Sequence, residues 1–243
     1  MDAPPSFQSF GPAHLTVIFL TITLPFVLAA CVRRSLWPNS DRLIGRILAL
    51  TLAINYLGYE IYLWLTVGLT WQKALPLQLC DWATAAIIVA LLTGRERWLE
   101  IAYYWGIGGT AQAILTPDLK NGFPDIHFFS FFITHCGIVV GIGFIMILRR
   151  FRPVFSSIWR TFGWSELYFV VAFTADLITG MNYGYLLHKP ERTSLLSVLS
   201  DHRPVYLLQM HLLALFFYLL LYAPFAIYDL IKPRRIRNSG ERG

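Results

Sequence analysis

The sequence predicts an all-α fold: a polytopic membrane bundle of seven transmembrane helices, N-terminus outside and C-terminus inside. Three observations predict it. Apolar residues make up 56% of the 243 residues and charged residues only 14%, against roughly 25% charged in a soluble domain, and mean hydropathy is +0.54. Apolar runs near the ~20 residues that a spanning helix needs recur along the chain. The basic residues sit in short clusters between those runs, as membrane topology requires.

The first run, 13–32, ends in Leu28-Ala29-Ala30-Cys31, which has the look of a lipoprotein cleavage box. A signal peptide carries positive charge before its apolar core. Here Asp2 precedes the core and Arg33 and Arg34 follow it, so the segment is expected to stay as a helix. The second run covers 43–68. The third and fourth, 75–93 and 98–116, are short and are divided by Arg95-Glu96-Arg97. The fifth, sixth and seventh cover 126–148, 164–187 and 205–231. The loops leave no room for a soluble domain, so 1–243 reads as one transmembrane unit.

Orientation follows from the basic residues. Arg33, Arg34, Arg42, Arg95, Arg97, Arg149, Arg150, Arg152, Arg160, Lys232, Arg234, Arg235, Arg237 and Arg242 fall on one side. Lys73, Lys120, Lys189, Arg192 and Arg203 fall on the other. The richer side is the inner one. The net charge of +6 is therefore a topology signal, and no nucleic-acid partner is expected. Cys31, Cys80 and Cys136 all lie in apolar runs, which is no disulfide framework.

Ionisable and polar groups inside the hydrocarbon are costly and mark function or buried pairing. At ~1.5 Å of rise per residue, Cys80 lies about 8 Å from the outer face, His135 about 13 Å and His211 about 9 Å. Gln78, Asp81, Glu60, Gln112, Thr134, Asn182, Tyr183 and Gln209 share that outer half, and Asp176 is nearer the midplane. The inner half holds far fewer such groups. One polar cavity in the outer half is the expectation. Asp176, Thr179 and Tyr183, at i, i+3 and i+7, would share one helix face.

Cys80 could be a nucleophile, because a thiol near a helix N-terminus has its thiolate stabilised by free backbone N–H groups. Five residues into a helix that effect fades, and Asp81 opposes it. His135 at compatible depth could act as its base. A lone intramembrane histidine also serves simply as an interhelical hydrogen bonder. His135, His211 and Asp176 together would make a two-His-one-carboxylate set suited to zinc, although no His-x-x-x-His or Cys-x-x-Cys spacing is present. Glu60 and Asp176 could instead line a transport or receptor pathway, but no inverted repeat supports a transporter. In the loops, Pro117, Gly122 and Pro124 punctuate the fourth-to-fifth connection, and Asn182 to Pro190 closes the sixth run.

Leu75-Pro76-Leu77-Gln78-Leu79-Cys80, the span-embedded His135 and Asn182-Tyr183-x-Tyr185-Leu186-x-x-Lys189-Pro190, in that order, resemble the YwaF-like bacterial integral membrane proteins. Their animal relatives are the Transmembrane protein 164 group. The resemblance covers nearly the whole chain. It implies a phospholipid acyltransferase or transacylase of a bacterial cell membrane, with Cys80 and His135 as the catalytic pair and an acyl-thioester intermediate in the outer half of the bilayer. Gln78, Asp81, Gln112, Asp176, Asn182, Tyr183, Gln209 and His211 would be supporting or substrate-binding groups. The partners implied are phospholipids, lysophospholipids and the bilayer, with no cofactor and no metal. The rival expectations are a zinc-dependent intramembrane lipid hydrolase and a non-enzymatic transporter or receptor.

Overall fold

The computed structural model describes residues 5–68, 70–190 and 194–231. Arg192 and the basic tail Lys232, Arg234, Arg235, Arg237 and Arg242, used above for orientation, lie outside the described residues. The described chain is helical throughout. Its one β pairing is an isolated bridge between Ser6 and Asn121.

α1 (Pro12–Arg34) opens with Gly11 and Pro12 and closes on Arg33 and Arg34. α2 (Ser40–Thr66) follows, and one short turn, α3 (Trp71–Ala74), precedes α4 (Leu79–Thr93). Gly94 caps α4 in the left-handed region at φ 68°, where glycine carries no Cβ penalty. α5 (Glu96–Trp105) runs through a π-helical turn (Gly106–Thr110) into α6 (Ala111–Leu115). α7 (Ile126–Arg149) is capped by the Asp125 side chain, which accepts from the His127 backbone N–H. α8 (Phe155–Thr179) ends at Gly180. Two 3₁₀ turns, Tyr183–Tyr185 and Leu195–Val198, lead to α9 (Arg203–Ile231).

Four helices, α1, α2, α7 and α9, are long and apolar enough to cross a membrane. Their lipid-facing side chains are exposed leucine, isoleucine, valine and phenylalanine, among them Phe19, Ile22, Ile54, Leu57, Leu212 and Phe216. A water-soluble monomer does not carry such surfaces. This is an integral membrane protein.

The helices alternate in direction, as arginine contacts at one end show. Arg33 Nη2 donates to Ile147 O (3.1 Å), joining the C-termini of α1 and α7. Arg149 Nη1 donates to Gly94 O (3.0 Å), joining the ends of α7 and α4. Arg160 makes a two-pronged pair with Glu100 (2.6 and 3.0 Å), joining the starts of α8 and α5. Arg152 pairs with Asp229 (2.9 Å) at the end of α9.

At the centre stands α7, which touches α1, α2, α4 and the π turn. Small residues let neighbours approach it closely. A Cβ on Gly137 would lie 2.7 Å from Leu52, one on Gly141 3.0 Å from Ile87, and one on Gly143 2.9 Å from Pro25.

Three expectations are corrected. The sixth helix spans 155–179 rather than 164–187, because Gly180 at φ 71° terminates it and returns its N–H to Asp176 O. Asn182 and Tyr183 therefore stand in the following turn, and Tyr183 does not extend the Asp176–Thr179 helix face. The helix of the third run starts at Leu79 rather than 75, because Pro76 lacks an N–H and the chain turns there, with Leu77 N–H donating to Leu75 O (2.8 Å). The arginine-rich half also holds more polar groups than expected. Besides Glu100–Arg160, Tyr104 OH and Ser157 Oγ are hydrogen-bonded (3.1 Å), Trp105 Nε1 donates to Ser165 Oγ (2.9 Å), and Ser165 Oγ bonds to Tyr218 OH (2.7 Å). Each pair satisfies buried polar groups between α5, α8 and α9.

Candidate functional site around Cys80

The segment from Pro76 to Trp82 is bound down at almost every residue. Gln78 N–H donates to Asp81 Oδ2 (2.9 Å), and Asp81 N–H returns to Gln78 O (3.0 Å). That exchange opens α4 and makes Cys80 its second residue. The thiol thus sits in the first turn, where the unpaired N–H groups of a helix are found. Of the N–H groups beside the thiol, that of Asp81 is already taken by Gln78 O. The fading expected from a helix beginning at 75 does not apply.

Other elements close over this turn. Trp82 Nε1 donates to Pro76 O (3.1 Å), and Tyr168 OH, on α8, donates to Leu77 O (3.0 Å). Gly184 N–H donates to Gln78 Oε1 (3.0 Å). Tyr183 OH donates to Gln72 O. The Leu-Pro-Leu-Gln-Leu-Cys element and the Asn182–Pro190 loop, far apart in sequence, are therefore in direct contact.

The loop itself is rigidly braced. Asn182 Oδ1 accepts from Leu187 N–H (2.9 Å) and His188 N–H (3.2 Å), while Asn182 Nδ2 donates to His188 O (2.9 Å). Lys189 Nζ donates to Asp201 Oδ1 (2.7 Å) and to the carbonyls of Ser197 and Leu199. Gln209 Oε1 accepts from Ser200 N–H (2.7 Å). Asn182, Lys189 and Gln209 thus spend these groups on holding the cover together. Tyr183 N–H donates to Asp176 Oδ1 (2.7 Å), so the turn and the helix meet through the backbone instead of a shared face.

His135 lies on α7 and is 9% exposed. Its Nδ1 donates to Phe131 O (2.7 Å), and its ring stacks on Phe131 at 4.0 Å. In the neutral ring this leaves the Nε2 lone pair as the free acceptor, the form a general base requires. α4 and α7 run parallel, with Gly141 against Ile87 and Leu91 and Arg149 against Gly94. Stepping back along both puts His135 between the levels of Cys80 and Ala85, within about 8 Å of Cys80 along the axis. The π turn stands against both helices: a Cβ on Gly106 would meet Ile142 at 2.5 Å and Ile138 at 2.7 Å, and one on Gly109 would meet Leu79 at 3.7 Å. Among the described residues no hydrogen bond joins the thiol to the imidazole.

The remaining candidates disperse. His211 Nδ1 donates to Leu207 O (2.6 Å) and Nε2 faces Glu166 Oε2 at 3.3 Å. Glu166 escaped the sequence reading because it stood at the edge of the expected span. His135, His211 and Asp176 do not converge, and no group of three His, Cys, Asp or Glu side chains suited to a metal occurs among the described residues. Asn55 was also missed; its Nδ2 donates to Thr134 Oγ1 (2.8 Å) and Ser130 O (3.0 Å), tying α2 to α7 one turn from His135. Gln112 sits on α6, with Thr116 N–H and Oγ1 both donating to its carbonyl. Three buried side-chain oxygens among the described residues have no partner: Glu60 Oε2, Thr161 Oγ1 and Asp176 Oδ2.

The family model for the TMEM164 family matches residues 9–222, from the start of α1 into α9. This chain belongs to the TMEM164 family. Membership is compatible with a membrane acyltransferase. An uncharacterized protein of Treponema pallidum (strain Nichols) is 28% identical over 137 residues, which is 54% of each chain. The chain spans about half the length of that curated relative. No solved structure gives a significant match.

Proposed function

We propose that this TMEM164-family protein is a phospholipid acyltransferase that works through Cys80 and His135. The observation that carries the reading is the placement of Cys80 in the first turn of α4, beneath the Asn182–Pro190 loop. The free N–H groups of a helix's first turn favour a thiolate and suit an oxyanion at the carbonyl it attacks. Asn182 is less suited to that role, since its amide is bonded within the cover.

His135 Nε2 takes the Cys80 proton as the sulfur attacks a phospholipid ester carbonyl. The C–O bond breaks, and the same proton passes to the departing lysophospholipid oxygen. The acyl thioester on Cys80 then meets an acceptor hydroxyl, whose proton returns to His135 as the thiolate leaves. Substrate binding draws thiol and imidazole into hydrogen-bond reach, as catalytic pairs commonly tighten only in the substrate complex. We place this chemistry in the outer half of a bacterial cell membrane. There α4, the composite of α5 and α6, and α8 complete seven crossings with the arginine-rich end inside.

Purified protein given a phospholipid labelled in its acyl chain should transfer the label to a lysophospholipid. Cys80→Ser or His135→Ala should abolish that transfer. Transfer at the wild-type rate by either variant would overturn the mechanism.

A further inference from the structure

We infer that Tyr168 is a positioning residue for Cys80, holding the turn that aims its thiol; the inference rests on Cys80 being the nucleophile. Two of the bonds that fix the 76–82 turn come from α4 itself, those of Asp81 and Trp82. Two come from outside it: Gly184 N–H to Gln78 Oε1 and Tyr168 OH to Leu77 O. Tyr168 alone of these four belongs to another long helix. Its single O–H proton is committed to the carbonyl two peptides before the reactive residue, which fixes the Leu77–Gln78 peptide plane and with it the entry into α4.

The anchor is itself held. The Tyr168 ring packs edge-on against Trp82 at 5.4 Å and lies 6.5 Å from Trp105, whose Nε1 donates to Ser165 one turn earlier on α8. Tyr168 is 6% exposed. On its open side Gly184, at φ 60°, comes so near that a Cβ there would lie 2.4 Å from the phenol oxygen. The loop can approach only because that residue is glycine. The motif loop, the phenol and the Cys80 turn therefore form one stack: Gly184 against Tyr168, and Tyr168 on Leu77.

Removing only the hydroxyl keeps the ring and its packing. Tyr168→Phe should lower kcat three- to tenfold with KM unchanged, the loss of about one net hydrogen bond. It should also raise the alkylation of Cys80 by a membrane-permeant maleimide at least threefold. Alkylation of Cys136, on α7, should stay unchanged, since a general loosening would raise both. Gly184→Ala, which drives a methyl into the phenol, should reproduce both changes and add little to Tyr168→Phe when combined. It also supplies the test if Tyr168→Phe does not fold. Unchanged Cys80 alkylation, an equal rise at Cys136, or an unchanged kcat would overturn the positioning role. A Cys80→Ser chain that still transfers acyl groups would instead remove the nucleophile reading, leaving the alkylation comparison to decide whether Tyr168 anchors the turn.

Discussion

Asp125 shows how single residues set the ends of the reactive helices. Its carboxylate caps α7 through the His127 N–H (2.8 Å), bonds the His127 ring at 2.7 Å and accepts from Asn121 (3.2 Å). Burial pushes the Asp125 carboxyl up, but these three bonds outweigh it and hold it below the ordinary value of 3.8. A folded-state value below the unfolded one stabilises the fold above pH 3.8, and that gain is lost as pH falls through the folded value. Asp125→Ala should cost about 1 kcal/mol as a lost cap, read as a lower Tm in detergent at pH 7. The gap between variant and wild type should shrink below pH 3.8; a constant gap would contradict the account. At this scale the sequence was legible for residue type and illegible for partner. Cys80 and His135 stand out because thiols and imidazoles are rare within apolar runs. Tyr168 did not, since one tyrosine among 12 says nothing until Leu77 O is found in front of it.

At the scale of elements, the π turn Gly106–Thr110 does the most to shape the site. It widens the helix between α5 and α6 so that one stretch touches Ile138 and Ile142 on α7, Leu79 on α4 and Leu221 on α9. Gly106→Ala would put a methyl 2.5 Å from Ile142 and should destabilise by about 1–3 kcal/mol, the range for overpacking, measured by thermal unfolding. An unchanged Tm would show that the π turn yields freely. Hydropathy could not find this turn, because Gly-Ile-Gly-Gly-Thr reads as an ordinary apolar stretch whether the backbone bonds run i to i−4 or i to i−5. It misplaced α8 for a related reason. Arg160 and Ser157 read as loop residues, yet Glu100 and Tyr104 satisfy them inside the helix pair. The long apolar helices α1, α2, α7 and α9 were legible because their pattern needs no partner to be recognised.

Across the whole molecule, the two ends of the bundle differ in kind. One end is stitched by Arg33, Arg149, Arg152 and Arg160. The other carries the braced loop, the α4 first turn and the N-terminal strap, where Phe7 N–H donates to Lys120 O (2.9 Å) and His14 bonds Ile114 O (2.7 Å). With the arginine-rich end inside, a fluorescent protein fused beyond α9 should fluoresce in bacterial cells, and alkaline phosphatase fused there should be inactive. The reverse result would invert the orientation and move the chemistry to the inner leaflet. That orientation came from loop charges alone, whereas the meeting of the two motif segments needed tertiary structure. The claim on which everything else depends is that Cys80 carries an acyl group during turnover. Incubating the purified protein with a phospholipid labelled in its acyl chain, then mapping the label by mass spectrometry, tests it directly. The account predicts a hydroxylamine-sensitive acyl thioester on Cys80, absent in Cys80→Ser; transfer that proceeds with no acyl group ever found on Cys80 would contradict it.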